Sequence, residues 1–299
     1  MNKTIIKVED KLSSHDCSAY LDTQHFTYVR NRSPNGIILI EKDDIVIYTE
    51  TSLTNINSLP KIKIALMVES PELHRKYYNY IEKNNHLFDI VLTFSKKLLD
   101  KGQNYKLNLF GTTWLHETYR NIWEKNKLCS LVLSNNTSTT GHKLRHHIAN
   151  IITSNNINSV ELYGSKYRSL PYMTSKNFEK DHCGAHISNK KINALKDYMF
   201  SIAIENCKED YYFTEKLIDC FLSGTVPIYY GCPSINKFFN EKGILHFTTP
   251  NECLNIINTL SIEKYNELLP YIKENFEKAK QYTELKIDET HILDIINKI

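Results

Sequence analysis

Apolar residues along this chain recur in alternating strand-like and helix-like patterns. In the first such series, Lys61–Val68 (KIKIALMV) and Phe88–Phe94 are apolar runs of strand length. Pro71–Asn84 lies between them and predicts a helix with a proline at its start. Gly36–Thr49 predicts two short strands around a polar turn, and Lys97–Leu115 is expected to be irregular.

A second series of strands and helices begins after residue 122. Its strands are predicted at Leu128–Leu133, Ser159–Tyr163, Phe200–Ile204 and Val226–Tyr230, with a short one at Gly243–Phe247. Apolar residues at helical spacing favour a helix over Lys143–Thr153, and the chain after residue 247 is predicted to be helical. Strands that alternate with helices in two successive series predict two βαβ domains with parallel sheets.

The overall composition is that of a globular protein. The 299 residues suffice for two medium domains or one large one, and 41% of them are hydrophobic against 24% charged. The formal net charge is only +3, and the lysines are scattered among acidic neighbours. The sequence therefore gives no support for a nucleic-acid partner.

The sequence also predicts a protein without a membrane-spanning segment. The N-terminal residues, MNKTIIKVEDKLSSHD, lack the uninterrupted apolar core of a signal peptide or an anchor. No run approaches the roughly eighteen apolar residues that cross a bilayer. Seven cysteines, an odd number without a C-x-x-C pair, favour reduced thiols. We therefore expect a soluble, cytoplasmic protein.

The segment from Phe200 to Pro233 carries the strongest indication of chemistry. It predicts a strand, a short polar turn, a helix that closes at Gly224 and a second strand. Such a turn lies at the carboxyl ends of the strands, where ligands bind in open α/β sheets. The first turn of a helix offers free N–H groups and a positive dipole end to an anion, and Lys216 adds a full positive charge there. This arrangement predicts a ligand that carries phosphate.

The same segment resembles the donor-binding signature of glycosyltransferase family ten, the α-1,3/1,4-fucosyltransferases. ENCKEDYYFTEKLIDCFLSGTVPIYYG matches the family pattern of E-N, a short spacer, Y-[VIF]-T-E-K, a helix and a [TV]-[VI]-P strand that ends in glycine. The matching residues are Glu205, Asn206, Tyr212, Thr214, Glu215, Lys216, Thr225, Val226, Pro227 and Gly231. Weaker similarity extends from about Lys61 to about Phe247.

The resemblance implies a fold and a division of the chain. Members of the family have an α/β fold of GT-B type, in which two Rossmann-like domains face each other across a cleft. On this chain the N-terminal, acceptor-binding domain would span residues 1–122. The C-terminal, GDP-sugar-binding domain would span residues 123–299 and end in a helical tail. The lack of an anchor resembles bacterial or viral members rather than animal ones.

Two cationic side chains are candidates to bind a diphosphate. Lys216 occupies the position of the family lysine that contacts the donor diphosphate, although by position alone it could be a solvated helix lysine. Arg145 follows a strand and an S-N-N-T-S-T-T loop in the first turns of the next helix, where a guanidinium can bind phosphate through two hydrogen bonds. Similar sequences place an arginine there that contacts the diphosphate. Lys143 is the alternative if the helix begins elsewhere.

The remaining donor-binding candidates come from the same signature. Glu215 corresponds to a family glutamate that accepts hydrogen bonds from ribose hydroxyls, and it could also be stabilised by the helix dipole. Asn206 and Tyr212 would line the nucleotide pocket by resemblance, although a buried tyrosine is also a common core residue. Thr214 belongs to the same Y-F-T-E-K match, and Glu205 is expected to support the loop.

Glu69 is the candidate catalytic base. It ends the strand over Lys61–Val68 in the sequence V-E-S-P, and the family has a similar E-S-P whose glutamate is the proposed general base. A glutamate just beyond an apolar strand can have its pKa raised by partial burial. The alternative is a helix N-terminal residue, with Ser70 as the cap and Pro71 at the first position.

A metal site has little support in the sequence. Asp181–His186 (DHCGAH) carries plausible ligand types, but no second pair of ligands lies at zinc spacing. The resembled family needs no metal motif because cationic side chains replace the ion, so no metal or other cofactor is expected. His142, His146 and His147 are predicted to be surface residues of their helix.

These inferences lead to one hypothesis of function and two alternatives. The hypothesis is a GDP-fucose-dependent α-1,3/1,4-fucosyltransferase that moves L-fucose to a hydroxyl of a glycan acceptor by a single inverting displacement. GDP, fucose and inversion come from the resemblance alone. The alternatives are a transferase of the same fold that uses another GDP-hexose, and a non-catalytic protein that binds nucleotide or glycan. The loops Lys97–Thr113 and Tyr167–Lys190 are expected to select the acceptor.

Overall fold

A computed structural model of the protein describes residues 3–9, 22–31, 39–102, 104–165, 177–178, 191–284 and 286–298. The chain forms two compact units. Unit 1 comprises Met1–Phe110 with Leu285–Ile299, and unit 2 comprises Gly111–Glu284. The two compact units meet between residues 110 and 111. The division of the chain into an acceptor-binding and a donor-binding domain between residues 122 and 123 stays a prediction. The last residues of the chain belong to unit 1.

Unit 1 is built on a parallel sheet whose described strands follow the order β2-β1-β3-β4-β5-β6. The strands are β1 Thr4–Glu9, β2 Phe26–Asn31, β3 Ile45–Thr49, β4 Ile62–Met67, β5 Ile90–Thr93 and β6 Tyr105–Leu107. The helices in the described part of this unit are α1 Arg75–Asn84, α2 Lys96–Leu99 and, near the end of the chain, one over Glu289–Ile296. Strands β3 and β5 are buried along their whole length, as expected in a parallel sheet covered on both faces.

Three expectations for unit 1 are wrong. Strand β3 does not pair in a hairpin, because it lies parallel between β1 and β4, and residues 36–38 of the expected first strand lie outside the described residues. The region expected to be irregular contains α2 and β6. Helix α1 begins at Arg75 rather than at the proline, since residues 71–74 form turns after Ser70. For β3 the reason is that its partner β1 is distant in sequence, so the local pattern did not identify the pairing.

Unit 2 is built on a second parallel sheet. Its described strands are β7 Lys127–Leu133, β8 Val160–Ser165, β9 Asn177–Phe178, β10 Tyr198–Ile204, β11 Val226–Tyr230 and β12 Leu245–His246. They follow the order β12-β11-β10-β7-β8-β9. The helices of the described part are α3 Thr140–Ser154, α4 Glu215–Leu222, α5 Pro250–Asn258 and α6 Ile262–Ala279. The helix of unit 1 over Glu289–Ile296 follows them in the chain and is α7. The α/β class with two parallel sheets is therefore confirmed.

The order of the strands in unit 2 reverses direction between β7 and β10. From β7 the chain moves outward through β8 and β9, and then returns to form β10 on the other side of β7. From β10 it moves outward the opposite way through β11 and β12. Such a point leaves a crevice between the loops that follow the two central strands, and ligands of open α/β sheets bind there.

Glycine at position 141 lets the first turn of α3 approach the end of β10. The N–H of Gly141 donates a hydrogen bond to the carbonyl oxygen of Asn206 at 2.9 Å. A Cβ atom at Gly141 would lie 1.8 Å from the carbonyl oxygen of Glu205. Only glycine fits this approach without moving the backbone, so the first turn of α3 packs directly on the backbone of residues 205 and 206.

Among the described residues, no helix has both the length and the apolar character required to cross a membrane.

We expect Gly141→Ala to destabilise the protein by about 1–3 kcal/mol, because the new methyl group overlaps the backbone carbonyl of Glu205, which directly follows β10. The free energy of unfolding in urea measures this loss. Asn150→Ala, at an exposed position of the same helix, is the matched control and should change stability by no more than about 0.5 kcal/mol. Equal stability of both variants would contradict the close packing of Gly141.

Candidate functional site

The turn of residues 205–214, which joins β10 to α4, is organised around a buried carboxyl group. Glu205 is fully buried, and its two carboxyl oxygens accept hydrogen bonds from Thr214, one from the N–H at 2.8 Å and one from the hydroxyl at 2.6 Å. Burial raises the pKa of Glu205, and the ammonium of Lys216 opposes this rise. Glu205 therefore fixes the far end of the 205–214 turn and sets where α4 begins.

Helix α4 begins at Glu215 because Thr214 caps it. The Thr214 hydroxyl accepts a hydrogen bond from the N–H of Lys216 at 3.4 Å, which satisfies one free donor of the first turn. The Lys216 ammonium donates to the Thr214 hydroxyl at 3.0 Å and to the Glu215 carboxylate at 2.9 Å. Its side chain is 20% exposed, whereas that of Glu205, 3.7 Å away, is fully buried. Lys216 is thus a cation at a helix N-terminus that solvent can reach.

Arg145 reaches the same turn from α3. Its Nε atom donates to the carbonyl oxygen of Ile204 at 3.0 Å, and its Nη2 atom donates to the Oδ1 atom of Asn206 at 2.6 Å. Only 5% of the residue is exposed, and burial lowers its pKa against the opposing influence of Glu205, Glu215 and Tyr212. The alternative candidate, Lys143, is exposed on α3. Of these two cations, the structure brings Arg145 to the end of β10.

Glu215 is a buried carboxylate that stays ionised. Burial acts to raise its pKa, but the ammonium groups of Lys216 and Lys191 and hydrogen bonds from Lys216 and Thr214 outweigh burial and lower the pKa to about 2. The Lys216 ammonium lies 2.9 Å from the Glu215 carboxylate. A carboxylate held charged in this way can accept hydrogen bonds from neutral hydroxyl donors of a ligand.

The two tyrosines of the turn differ in burial and backbone conformation. Tyr212 is buried, whereas Tyr211 is half-buried and has a left-handed φ of 63°. The N–H of Tyr211 donates to the Ser234 hydroxyl at 3.1 Å, and the Lys237 ammonium donates to the Tyr211 hydroxyl at 3.2 Å. Left-handed conformations of residues with side chains cost energy and persist where neighbouring contacts impose them. These contacts fix the shape of the turn.

One expectation for α3 is wrong. His142 is buried rather than on the surface, with its Nδ1 atom 2.6 Å from the Thr139 hydroxyl. The reason is that α3 begins at Thr140, three residues earlier than predicted, and His142 and Arg145 share the face that packs on the sheet. His147 is exposed and His146 is half-buried.

Sequence reasoning missed a buried ion pair beneath α4. The Lys191 ammonium lies 2.6 Å from the Oδ2 atom of Asp219, and both side chains are buried. Neither residue belongs to the matched signature positions. The one available indication was an aspartate at helical spacing from Glu215 on a face that is otherwise apolar.

Glu69 lies in unit 1, whereas the other candidate residues all lie in unit 2. It follows β4, and its carbonyl oxygen accepts a hydrogen bond from the Tyr78 hydroxyl of α1 at 2.9 Å. Its half-buried side chain lines a small pocket together with His74, Tyr77 and Tyr78.

Other predicted features are only partly covered by the structure. Asp181–His186 lies outside the described residues, and so does the loop Tyr167–Lys190 except for strand β9 at Asn177–Phe178. Among the residues that are described, no group of three or more His, Cys, Asp or Glu side chains is placed to hold a metal ion. The cysteines at positions 129, 207, 220, 232 and 253 are buried free thiols.

Comparison with known proteins places the second half of the chain in a recognised group. The family profile "Glycosyltransferase family 10 (fucosyltransferase) C-term" matches residues 122–290. "Alpha-(1,3)-fucosyltransferase FucT" of Helicobacter pylori is 34% identical over 110 residues, which cover 36% of this chain and 23% of that protein. "Alpha-(1,3)-fucosyltransferase B" of Drosophila melanogaster is 32% identical over 111 residues, which cover 35% of this chain and 24% of that protein. The matched region thus spans about a quarter of the length of these curated relatives.

Solved structures resemble the chain over most of its length. An α1,3-fucosyltransferase crystallised with GDP has a TM-score of 0.54 and 20% identity, over 97% of this chain and 92% of that one. The same comparison with TarM gives a TM-score of 0.52 and 15% identity, over 86% of this chain and 55% of that one. At these identities the likeness shows the fold, which is that of GT-B glycosyltransferases, and the predicted fold type is confirmed.

We expect Thr214→Val to lower the free energy of unfolding by about 1–3 kcal/mol, because it removes the cap of α4 and a hydrogen bond to a buried carboxyl group. Thr214→Ser keeps the hydroxyl and is the matched control, which should retain most of the stability. Urea unfolding of the two variants measures the difference. If the valine variant is as stable as the serine variant, the hydroxyl does not hold Glu205 and α4 together.

Proposed function

We propose, from the chain's membership of glycosyltransferase family 10, that it transfers L-fucose from GDP-fucose to a hydroxyl group of a glycan acceptor. The observation that carries this proposal is that Arg145 and Lys216 both contact residues at the end of β10 or in the 205–214 turn, at the strand-order reversal of unit 2. Both residues lie within the region that matches the family. Lys216 is in the first turn of α4, and Arg145 is on the buried face of α3. A diphosphate bound there would be stabilised by two positive charges and a helix dipole.

The chemistry of the 205–214 turn supports a donor-nucleotide site in unit 2. Lys216 is partly exposed, and its partners among the described residues are Thr214, Glu215 and Glu205, so its ammonium can move to a phosphate oxygen. Arg145 is fixed by Ile204 and Asn206 and would act as a stationary charge. Glu215, kept ionised, would accept hydrogen bonds from the ribose hydroxyls. Asn206 and Tyr212 would line the nucleoside part of the pocket.

The acceptor is assigned to unit 1, with Glu69 as the general base. In the proposed step, the Glu69 carboxylate takes the proton of the acceptor hydroxyl as that oxygen forms a bond to the anomeric carbon of β-linked fucose. The bond from this carbon to the diphosphate oxygen breaks, and its electron pair leaves with GDP. Lys216 and Arg145 stabilise the charge that develops on the leaving group. Attack from the opposite face would invert the anomeric configuration, giving an α linkage to a 3- or 4-hydroxyl. This scheme needs no metal or other cofactor.

A second candidate function is transfer of another hexose from its GDP derivative. It is favoured by the chemistry of the 205–214 turn, whose charged groups are suited to diphosphate and ribose and carry no recognition of a particular sugar. A panel of GDP-sugars offered to the same preparation separates the two candidates. Turnover of a different GDP-hexose in preference to GDP-fucose would favour the second.

We expect Lys216→Ala to weaken GDP binding by about tenfold to a hundredfold, because a charge-assisted hydrogen bond to phosphate is lost. Turnover should fall by about a hundredfold or more, since the leaving group loses a cation. Calorimetry with GDP and acceptor-dependent release of GDP from GDP-fucose measure the two effects. Lys208→Ala is the matched control, because it removes an exposed lysine of the same turn and should change neither quantity. Equal GDP affinity in both variants would remove Lys216 from the donor site.

We expect Glu69→Gln to lower kcat by about a hundredfold to ten-thousandfold while GDP affinity stays unchanged, since a general base acts on the acceptor and not on the nucleotide. N-acetyllactosamine is the acceptor for the first assay. Glu72→Gln, an exposed position three residues further on, is the control for the loss of a nearby carboxylate. A Glu69→Gln variant with full turnover would exclude Glu69 as the base.

A further inference from the structure

Tyr211 has a backbone conformation that residues with side chains seldom adopt. Its φ of 63° lies in the left-handed region, where the side chain of an ordinary residue is strained. Among the described residues, Asn156 is the other non-glycine residue with a positive φ. Asparagine tolerates this conformation, and Asn156 is exposed just after α3, where helices commonly end in it. A tyrosine has no such tolerance, so other contacts must impose the conformation of Tyr211.

Three residues of the segment that follows β11 hold Tyr211 in place. The N–H of Tyr211 donates a hydrogen bond to the Ser234 hydroxyl at 3.1 Å. The ring of Phe238 is nearly perpendicular to the Tyr211 ring, at 78°, with 6.3 Å between the centroids. The Lys237 ammonium lies 4.9 Å from the centre of the Tyr211 ring and donates to its hydroxyl at 3.2 Å. These four residues form the Tyr211 clamp, which holds both the backbone and the side chain of Tyr211.

The Tyr211 clamp joins the loops that follow two neighbouring strands. Tyr211 belongs to the 205–214 turn after β10, whereas its three partners follow β11, which pairs with β10 in the sheet. Phe238 also packs against Phe213, with 5.1 Å between the ring centroids. The residues on both sides of Tyr212 therefore contact Phe238. Tyr212 itself is buried, so its place in the turn is set by two neighbours that the segment after β11 holds.

Packing of the core does not by itself account for a tyrosine at position 211. Phe213 is buried and contributes its ring to the core, but Tyr211 is half-buried and its partner Lys237 is exposed. Glycine would adopt a φ of 63° without strain. A strained side chain persists where surrounding contacts impose it, and such residues cluster at ligand-binding sites. The clamp therefore points to a function of the 205–214 turn.

We propose that Tyr211 is a positioning residue for the donor nucleotide, since the Tyr211 clamp ties the 205–214 turn to the segment after β11 and thereby fixes where Tyr212 meets the nucleoside. This inference rests on the proposed donor site in unit 2, and it adds a residue that lies outside the matched signature positions. In this scheme Lys237 acts through Tyr211 and does not contact the diphosphate.

The test needs a variant that removes the clamp and leaves the backbone of the turn accessible. Tyr211→Gly does both, because glycine adopts the left-handed conformation freely. The relief of strain offsets the lost contacts, so its Tm should be close to that of the unmodified protein. Asn156→Gly is the matched control, since it places glycine at the other left-handed residue, outside the turn. Circular dichroism and thermal unfolding establish that both variants are folded.

The first readout is the affinity for GDP, measured by calorimetry without acceptor. We expect Tyr211→Gly to raise the Kd about tenfold and to leave kcat at saturating GDP-fucose within about threefold, because positioning of the bound nucleotide affects ground state and transition state alike. Asn156→Gly should change neither quantity. A purely structural role of Tyr211 would instead reduce the fraction of active protein, which lowers kcat and leaves the Kd of the folded fraction unchanged. Unchanged GDP affinity in Tyr211→Gly would overturn the proposal.

The second readout tests whether Lys237 acts through Tyr211, and it uses a substitution at an exposed position. We expect Lys237→Met to raise the Kd for GDP about threefold to tenfold when Tyr211 is present and to have no further effect in the Tyr211→Gly background, because residues that act as a unit are not additive. An equal loss in both backgrounds would overturn the clamp and indicate that Lys237 contacts GDP itself. Failure of the unmodified protein to bind GDP would instead reject the proposed function, and the positioning role with it.

Discussion

The burial of charge at the start of α4 is the constraint on which the rest of unit 2 depends. Three carboxyl groups and three cations from different parts of the chain are packed around one helix N-terminus: Glu205, Glu215, Asp219, Arg145, Lys191 and Lys216. A buried charge without a partner costs several kcal/mol, so each group is tolerated only because others neutralise it. The arrangement must therefore form as a whole.

That constraint explains how a buried site can keep one cation open to solvent. Arg145, Lys191 and the three carboxyl groups are buried and bonded to backbone or to each other, so the framework of the site is set before any ligand arrives. Lys216 alone among the six is substantially reached by solvent. Preorganised charge stabilises a transition state at little cost in reorganisation, whereas a movable cation lets an anion enter. In unit 2, Arg145 and Lys191 are the buried, preorganised cations, and Lys216 is the cation that solvent reaches.

Much of unit 2 could be predicted from the sequence. The limits of β11 are as predicted, those of β10 differ by two residues, and the cap and start of α4 are readable from the order Thr214, Glu215, Lys216. Unit 1 was less accessible, since β1 was not foreseen and β3 was assigned to a hairpin. Parallel strands pair with segments far away in the chain, so no local turn marks their partners. The predicted exposure of His142 was wrong for a different reason, because the face that a helix buries depends on where the helix begins.

The sequence by itself determined where the turn after β10 ends and α4 begins, because Glu205, Thr214 and Glu215 are close together in the chain. Apolar periodicity, a capping threonine and the signature residues are local features. They can therefore be recognised from the order of residues alone. Only the tertiary structure decided that Arg145 rather than Lys143 reaches the turn, that Gly141 must be a glycine, and that Lys191 lies under α4. Each of these depends on the approach of two segments that are distant in the chain. Such an approach is fixed by packing and by the pairing of buried charge, which no stretch of sequence contains alone.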